Sequence, residues 1–320
     1  MKQLPAATIF LLLLLAASAR AEEAAPARTV KLHTIDVKTP RGMVDLFKPG
    51  AERFPLISAH RGGSGKGWPE NCIETFQHTL EHTFAIMEVD PRYTKDGHIV
   101  LHHDATLERT TSGKGKVADH TLAELKQLRL KDAAGTLTDY TIPTLDEALA
   151  WAKGKTILVL DQKDVPARDR LKKVMELKAE AHAMLIIYSF ADAKACYETS
   201  KDIMMEVMIP SRAKGEEFEK TGVPWANVIA FVGHTPPRET ELGPWLHGKG
   251  ASCMTGTSRN LDKQLMKAEG DARSAIRKEY EALLKSGVDL FEADAAREVG
   301  RLLYSETSVP TEKAKYFRVD

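Results

Sequence analysis

The sequence predicts an α/β fold, a (β/α)8 barrel that carries a small insertion after its second strand. Three observations lead there. Short apolar runs of β type recur at 55–59, 84–90, 98–101, 156–161, 184–189, 203–209, 227–233, 251–255 and 288–293. Most are separated by enough chain for a crossover helix, the pattern of a parallel sheet covered by helices. One pair breaks the rule: only Pro91 to Gly97 separate the second run from the third, and a parallel crossover needs about a dozen residues or more. The 98–101 run therefore opens an excursion that reaches residue 143 or so. Setting it aside leaves the eight strands of a barrel.

The elements follow in order. Lys2, the apolar run Ile9 to Ala17 and Ala19-Arg20-Ala21 make a signal peptide with cleavage after Ala21, which implies export to the periplasm or beyond. The apolar run is short for an anchor, which needs roughly twenty residues. Residues 22–54 are rich in Ala, Pro and charge without clear periodicity, and read as a linker plus an extended segment that packs onto the domain at 55–320. Within the excursion at 98–143, Thr121-Leu122-Ala123-Glu124 has the form of a capping box, and Thr144-Leu145-Asp146-Glu147 repeats it where the next barrel helix should begin. Forty-five basic and forty-five acidic residues cancel, so no global field favours nucleic acid or an anionic membrane, and any anion must be bound locally. Nothing after the leader approaches a membrane span, so no stable membrane insertion is expected once the signal is cleaved. Cys72, Cys196 and Cys253 are an odd number spread along the chain and read as buried thiols; nothing requires Cys72 to be a nucleophile.

Polar residues gather where barrel chemistry belongs, at the carboxyl ends of the strands. His60 and Arg61 follow the first run, Glu88 and Asp90 end the second, Asp161 and Lys163 the third, and Glu292 and Asp294 the eighth. Residues two apart on a strand share a face. Two carboxylates on one buried face repel each other and cost desolvation, for which a divalent cation is the usual compensation. Glu88, Asp90 and Asp161 would make an all-oxygen site suited to Ca²⁺ or Mg²⁺ rather than Zn²⁺. The plainer account is solvated polarity beyond each strand end, with Asp161 paired to Lys163. His102 and His103 face opposite sides of their run, so only one should reach the mouth. The glycine-rich stretches at 63–67 and 112–115 lack the spacing of a phosphate-binding P-loop.

His60-Arg61-Gly62, Pro69-Glu70-Asn71, Glu88-x-Asp90, Thr94-Lys95-Asp96-Gly97, His103-Asp104 and Leu107-x-Arg109-Thr110-Thr111 occur in that order, and together they closely resemble the glycerophosphodiester phosphodiesterase family. The resemblance implies a barrel with an insertion at the same place. It implies hydrolysis of a small-molecule glycerophosphodiester to glycerol 3-phosphate and an alcohol, with a divalent cation, Ca²⁺ or Mg²⁺, on Glu88, Asp90 and Asp161. His60 and His103 would be the acid–base pair, one deprotonating a substrate hydroxyl or water and the other protonating the leaving alkoxide. His103 is favoured over His102 because it directly precedes Asp104, as in the family. Arg61 and Lys163 would balance the phosphate. Asp104, Glu292 and Asp294 are candidates to support these groups, and Glu70 could cap a helix, hold a site residue or bind the metal. Arg109 matches an insertion motif, for which an ordinary turn is an equal account. In two places the chain departs from the family: Asp161 stands where Glu is usual, and the seventh strand, around Ser252 to Thr257, lacks a frequent Trp. A phospholipase of C or D type acting on intact lipid, and a non-catalytic phosphodiester-binding protein, are the alternative readings.

Overall fold

The computed structural model describes residues 31–50, 54–236 and 239–320, so the expected signal peptide with its Ala19-Arg20-Ala21 site and the start of the expected linker lie outside the described residues. Among the described residues twelve strands are formed: β1 His33–Ile35, β2 Leu56–Ala59, β3 Ile86–Val89, β4 Pro91–Tyr93, β5 Ile99–Leu101, β6 Leu158–Leu160, β7 Ala183–Ile187, β8 Met204–Met208, β9 Val228–Phe231, β10 Ser252–Gly256, β11 Leu290–Ala293 and β12 Phe317–Val319. Eight of them close a parallel barrel in the order β2-β3-β6-β7-β8-β9-β10-β11. These are the eight runs the sequence selects. The strands are apolar on both faces because both are buried. Leu56, Ile86, Val159, Met184, Ile229 and Leu290 fill the barrel, while Ile57, Met87, Leu158, Leu185, Met205 and Phe291 pack against the surrounding helices.

The short link after β3 does what its length dictates. Pro91–Tyr93 turns through Thr94 to Gly97 and pairs antiparallel with Ile99–Leu101, as a hairpin outside the barrel. The excursion then builds a satellite core of Val100, Leu107, Val117, Leu125, Leu130 and Ile142 with Cys72. Both capping boxes form: Thr121 with Glu124, and Thr144 with Glu147.

The segment expected to be extended holds a helix instead, Pro40–Phe47, capped by the Thr39 hydroxyl and opened by proline at its first position. Met43, Leu46 and Phe47, spaced i, i+3, i+4, close the amino-terminal end of the barrel core. Eight residues give barely two turns of periodicity, too little to stand out beside an Ala- and Pro-rich stretch. β1 then pairs antiparallel with β12, clasping the two ends of the described chain together.

Candidate active site

The first turn after β2 is built on unusual backbone. Arg61, Gly62 and Gly63 all have positive φ, at 53°, 82° and 81°. A Cβ on Gly62 would lie 2.2 Å from the Phe76 ring, so glycine is required there. The turn points His60 and Arg61 into a mouth cavity of about 460 Å³. His60 Nδ1 donates to Asp294 at 2.6 Å, and its Nε2 lies 4.0 Å from Glu88 Oε2. Burial alone would lower the His60 pKa, but the Asp294 bond and the carboxylates of Glu292 and Asp294 outweigh it and raise the pKa above the ordinary value. Arg61 donates its backbone N–H to Glu88 and its guanidinium to Glu70 at 3.0 Å, while its buried Nε has no hydrogen-bond partner.

The acids converge as their spacing implies. Glu88, Asp90 and Asp161 are buried and offer oxygens that all lie within 4.8 Å of one another. Burial and then the charges of Asp90 and Asp161 push the Glu88 pKa well above its ordinary value. Asn71, itself at positive φ, clamps Asp90 with a side-chain donor at 2.6 Å and accepts from the Asp90 N–H at 2.9 Å. Lys163 pairs with Asp90 at 2.9 Å and also binds Asp161, so the ion pair foreseen as the plain account and the acid cluster coexist. Tyr188 adds a hydroxyl to Asp161 at 2.6 Å. Burial would raise the Asp161 pKa, but Lys163 and Tyr188 hold it below the usual range. From behind, the fully buried Arg170 guanidinium binds the carbonyls of Leu160 and Ile186, joining the ends of β6 and β7. When ionised, the three carboxyls are acceptor-only groups with one ammonium between them, and this donor set fits a hard divalent cation.

The excursion supplies the second histidine. His103 borders the mouth, and its Nδ1 donates to Asp104 at 2.7 Å. Arg92 grips the His103 carbonyl at 2.7 and 3.0 Å. Arg109 is no ordinary turn residue: it binds both Asp104 oxygens and both Glu70 oxygens, at 2.6 to 2.9 Å. Glu70 thus ties Arg61 to Arg109 and stands outside the acid cluster, so of its three possible roles it takes that of holding site residues. Burial opposes its charge, but the two guanidinia lower its pKa. His102 is buried and spent on the Asp104 carbonyl at 2.8 Å and Thr110 at 2.9 Å, facing away from the mouth. Cys72 bonds Glu74, and burial lifts its thiol to about 12, which removes it as a nucleophile. All three cysteines are buried.

Apart from Glu292, the far wall went unseen in the sequence. Glu206, in the middle of β8, is 2% exposed, and burial followed by the charges of Glu292 and Asp161 raises its pKa well above the ordinary value. Glu292 is raised in the same sense, chiefly by burial. Tyr188, His234, Arg259 and Lys263 complete the rim. A glutamate in a run of Met and Val, Met204-Met205-Glu206-Val207-Met208, was the available signal, since a lone acid inside a buried strand calls for a reason.

A sequence model of the glycerophosphoryl diester phosphodiesterase family matches residues 60–214. Among curated proteins, a glycerophosphodiester phosphodiesterase of Caldanaerobacter subterraneus subsp. tengcongensis is 43% identical over 105 residues, 32% of this chain and 43% of that protein. Glycerophosphodiester phosphodiesterase 1 of Bos taurus is 32% identical over half of each chain. The chain thus spans half or less of the length of these curated relatives. Among solved structures, an Oleispira antarctica phosphodiesterase in complex with the product sn-glycerol-3-phosphate shares the fold, with a TM-score of 0.58 at 21% identity over 79% of this chain and 97% of that one. A glycerophosphoryl diester phosphodiesterase of Parabacteroides distasonis superposes with a TM-score of 0.84 at 39% identity, covering 90% of this chain and 99% of that one. Likeness at that identity along a whole barrel, insertion included, places this chain in the glycerophosphoryl diester phosphodiesterase family.

Proposed function

We propose that the protein is an exported, metal-dependent enzyme that hydrolyses glycerophosphodiesters to glycerol 3-phosphate and an alcohol. The observation that carries the reading is that two carboxylate-anchored histidines border one cavity together with a buried group of acids. Each imidazole gives Nδ1–H to an aspartate, which fixes the ring and leaves Nε2 to handle a proton. One would take the proton of a substrate hydroxyl or water and the other would return a proton to the departing alkoxide. Glu88, Asp90 and Asp161 would hold the cation, Ca²⁺ or Mg²⁺, and when bound it supplies charge to polarise a phosphoryl oxygen and acidify a nearby hydroxyl. Arg61 and Lys163 supply fixed positive charge for the phosphate oxygens, and Glu70 and Asp90 hold them in place. The Oleispira antarctica phosphodiesterase was solved with the product expected here.

The leader at 1–21 supports export, and no helix among the described residues is long and apolar enough to cross a membrane. An enzyme of intact lipid would want an apolar rim, whereas the rim here carries Arg259 and Lys263. A binding protein would need neither histidine dyad. The test is a screen of the purified, metal-supplemented protein against glycerophosphodiesters of different head groups, reading glycerol 3-phosphate release. Turnover of intact phospholipid in preference to its deacylated form would replace this reading with the phospholipase one. Culture fractionation tests export: the intact leader retained on cytosolic protein would refute it.

A further inference from the structure

Behind the first turn of the mouth, the helix Ile73–Leu80 carries His78 in its last turn, and the chain turns on through its cap residue Glu81 to His82, whose N–H donates to the Thr79 carbonyl. The three residues are half-buried, and their ligand atoms all lie within 4.8 Å of one another. Spacing of i, i+3 and i+4 puts them on one face. We infer that His78, Glu81 and His82 form a second metal site, one that takes a borderline transition cation of the Zn²⁺ class through two imidazoles and a carboxylate.

Geometry favours chelation over an ordinary helix-end ion pair. His78 Nδ1 and Glu81 Oε2 stand 3.5 Å apart, long for a charge-assisted hydrogen bond but close to the roughly 3.3 Å edge of a tetrahedron built on Zn–N and Zn–O bonds of about 2.0–2.2 Å. His82 Nδ1 is bonded to the His78 carbonyl at 2.8 Å, which leaves Nε2 as the nitrogen with a free lone pair, in the way ligating histidines are usually oriented. The Trp68 indole stacks on His78 at 3.8 Å, and His82 meets His78 edge-on at 4.4 Å. Coordination occurs in the plane of an imidazole, so stacking fixes the ring without covering its lone pair. The site also sits at a helix carboxyl end, where the backbone dipole favours positive charge.

One group opposes a cation, Arg297, whose charge acts on His78. Its guanidinium is committed to the Gly63 carbonyl and the Thr79 hydroxyl, and Glu81 supplies the compensating charge. Nitrogen ligands here and oxygen ligands in the mouth would sort two metals by class. Thr79, on the same helix, donates to the Gly62 carbonyl at 2.8 Å. An ion here would therefore brace the turn that carries His60 without touching substrate, and its effect should appear in stability.

The test titrates metal-stripped full chain with Zn²⁺, and with Co²⁺ as an optical probe, in wild type, His78→Ala, His82→Ala, His82→Gln and the mouth variant Asp90→Asn. Loss of a supporting group alone costs about 10- to 100-fold in metal affinity, so loss of a ligand should weaken Zn²⁺ binding at least that much in all three histidine variants. Wild type and Asp90→Asn should share a Zn²⁺-dependent rise in Tm and the intense visible bands of low-coordinate, nitrogen-bound Co²⁺, and the histidine variants should lose both. His82→Gln keeps size and polarity, so its loss cannot be assigned to a failed fold. Wild-type Zn²⁺ affinity and Tm rise in the histidine variants, no Zn²⁺ binding in wild type, or loss only in Asp90→Asn would each overturn the proposal.

Discussion

The two walls of the mouth treat buried charge in opposite ways. On the wall made by β2, β3, β6 and the excursion, the ionisable groups other than Glu88, which accepts the Arg61 N–H, are paired: His60 with Asp294, His103 with Asp104, Asp90 with Asn71 and Lys163, Asp161 with Lys163 and Tyr188. On the opposite wall Glu206 is equally buried, and its strongest electrical neighbours are two more acids, Glu292 and Asp161. The first wall is held in one arrangement before any ligand arrives, which is what acid–base chemistry needs. The second stores unfavourable charge, and nothing in the proposed reaction uses it. The contrast predicts that perturbing the first wall damages turnover while perturbing the second changes stability.

Metal removal should have the largest effect. Chelation is expected to abolish turnover and Ca²⁺ or Mg²⁺ to restore it, because Glu88, Asp90 and Asp161, when ionised, leave charge that Lys163 alone does not balance. Full activity in stripped enzyme would sink the assignment of that wall. Next come the histidines: His60→Ala and His103→Ala should each lower kcat by about 10² to 10⁴, and the double variant by less than the product, since they act as one unit. His102→Ala should cost kcat far less and show itself in melting temperature, given its buried bonds to Thr110 and the Asp104 carbonyl. A larger kcat loss at His102 than at His103 would reverse the choice between them.

Asp161 lies on the seam between the walls. As a ligand, its conversion to Asn should weaken metal binding by about 10- to 100-fold, while Asp161→Glu, the family's usual residue, should keep a substantial part of the activity. Calorimetric titration of the cation decides the matter. Unchanged affinity with a lowered melting temperature would mean that Asp161 serves only Lys163 and Tyr188.

Legibility in the sequence follows the same divide. Glu88-x-Asp90, Asp161-x-Lys163 and Glu292-x-Asp294 were visible because a strand end places alternate residues on one face, so pairing is written into local spacing, and His60-Arg61 because it directly follows the first apolar run. The barrel was visible for a related reason: strands buried on both faces read as apolar runs, and the seven-residue link after Asp90 could belong only to a hairpin. The far wall comes from single residues on separate strands, Glu206 on β8 and Tyr188 just past β7. Only the pairing of β7 with β8 makes them neighbours. Arg109 reaches Glu70 across 39 positions of sequence, a contact no local pattern encodes. The helix Pro40–Phe47 was hidden by brevity.

The smallest effect on turnover, and the sharpest test of the contrast, is expected at Glu206. Its folded-state pKa is raised, by burial first and then by Glu292 and Asp161. A group raised in this way stabilises the fold while pH is below its unfolded value, near 4.3 for glutamate, and that contribution is lost as pH climbs toward the folded value. Above that window the fold must hold an ionised carboxylate whose strongest electrical neighbours are also acidic. Glu206→Gln keeps the shape and removes the titration. The variant should therefore gain stability relative to wild type as pH rises from 5 to 8, by about 1–3 kcal/mol at the upper end, the usual cost of a poorly compensated buried polar group. Its kcat/KM should fall by less than about tenfold. Thermal melts of both proteins in chelator across that pH range measure the first quantity, and turnover with metal restored measures the second. A wild type that is the more stable protein at pH 8 would show that Glu206 has a cationic partner after all. A hundredfold loss of kcat/KM with unchanged melting would move Glu206 to the reacting wall and erase the distinction drawn between the two.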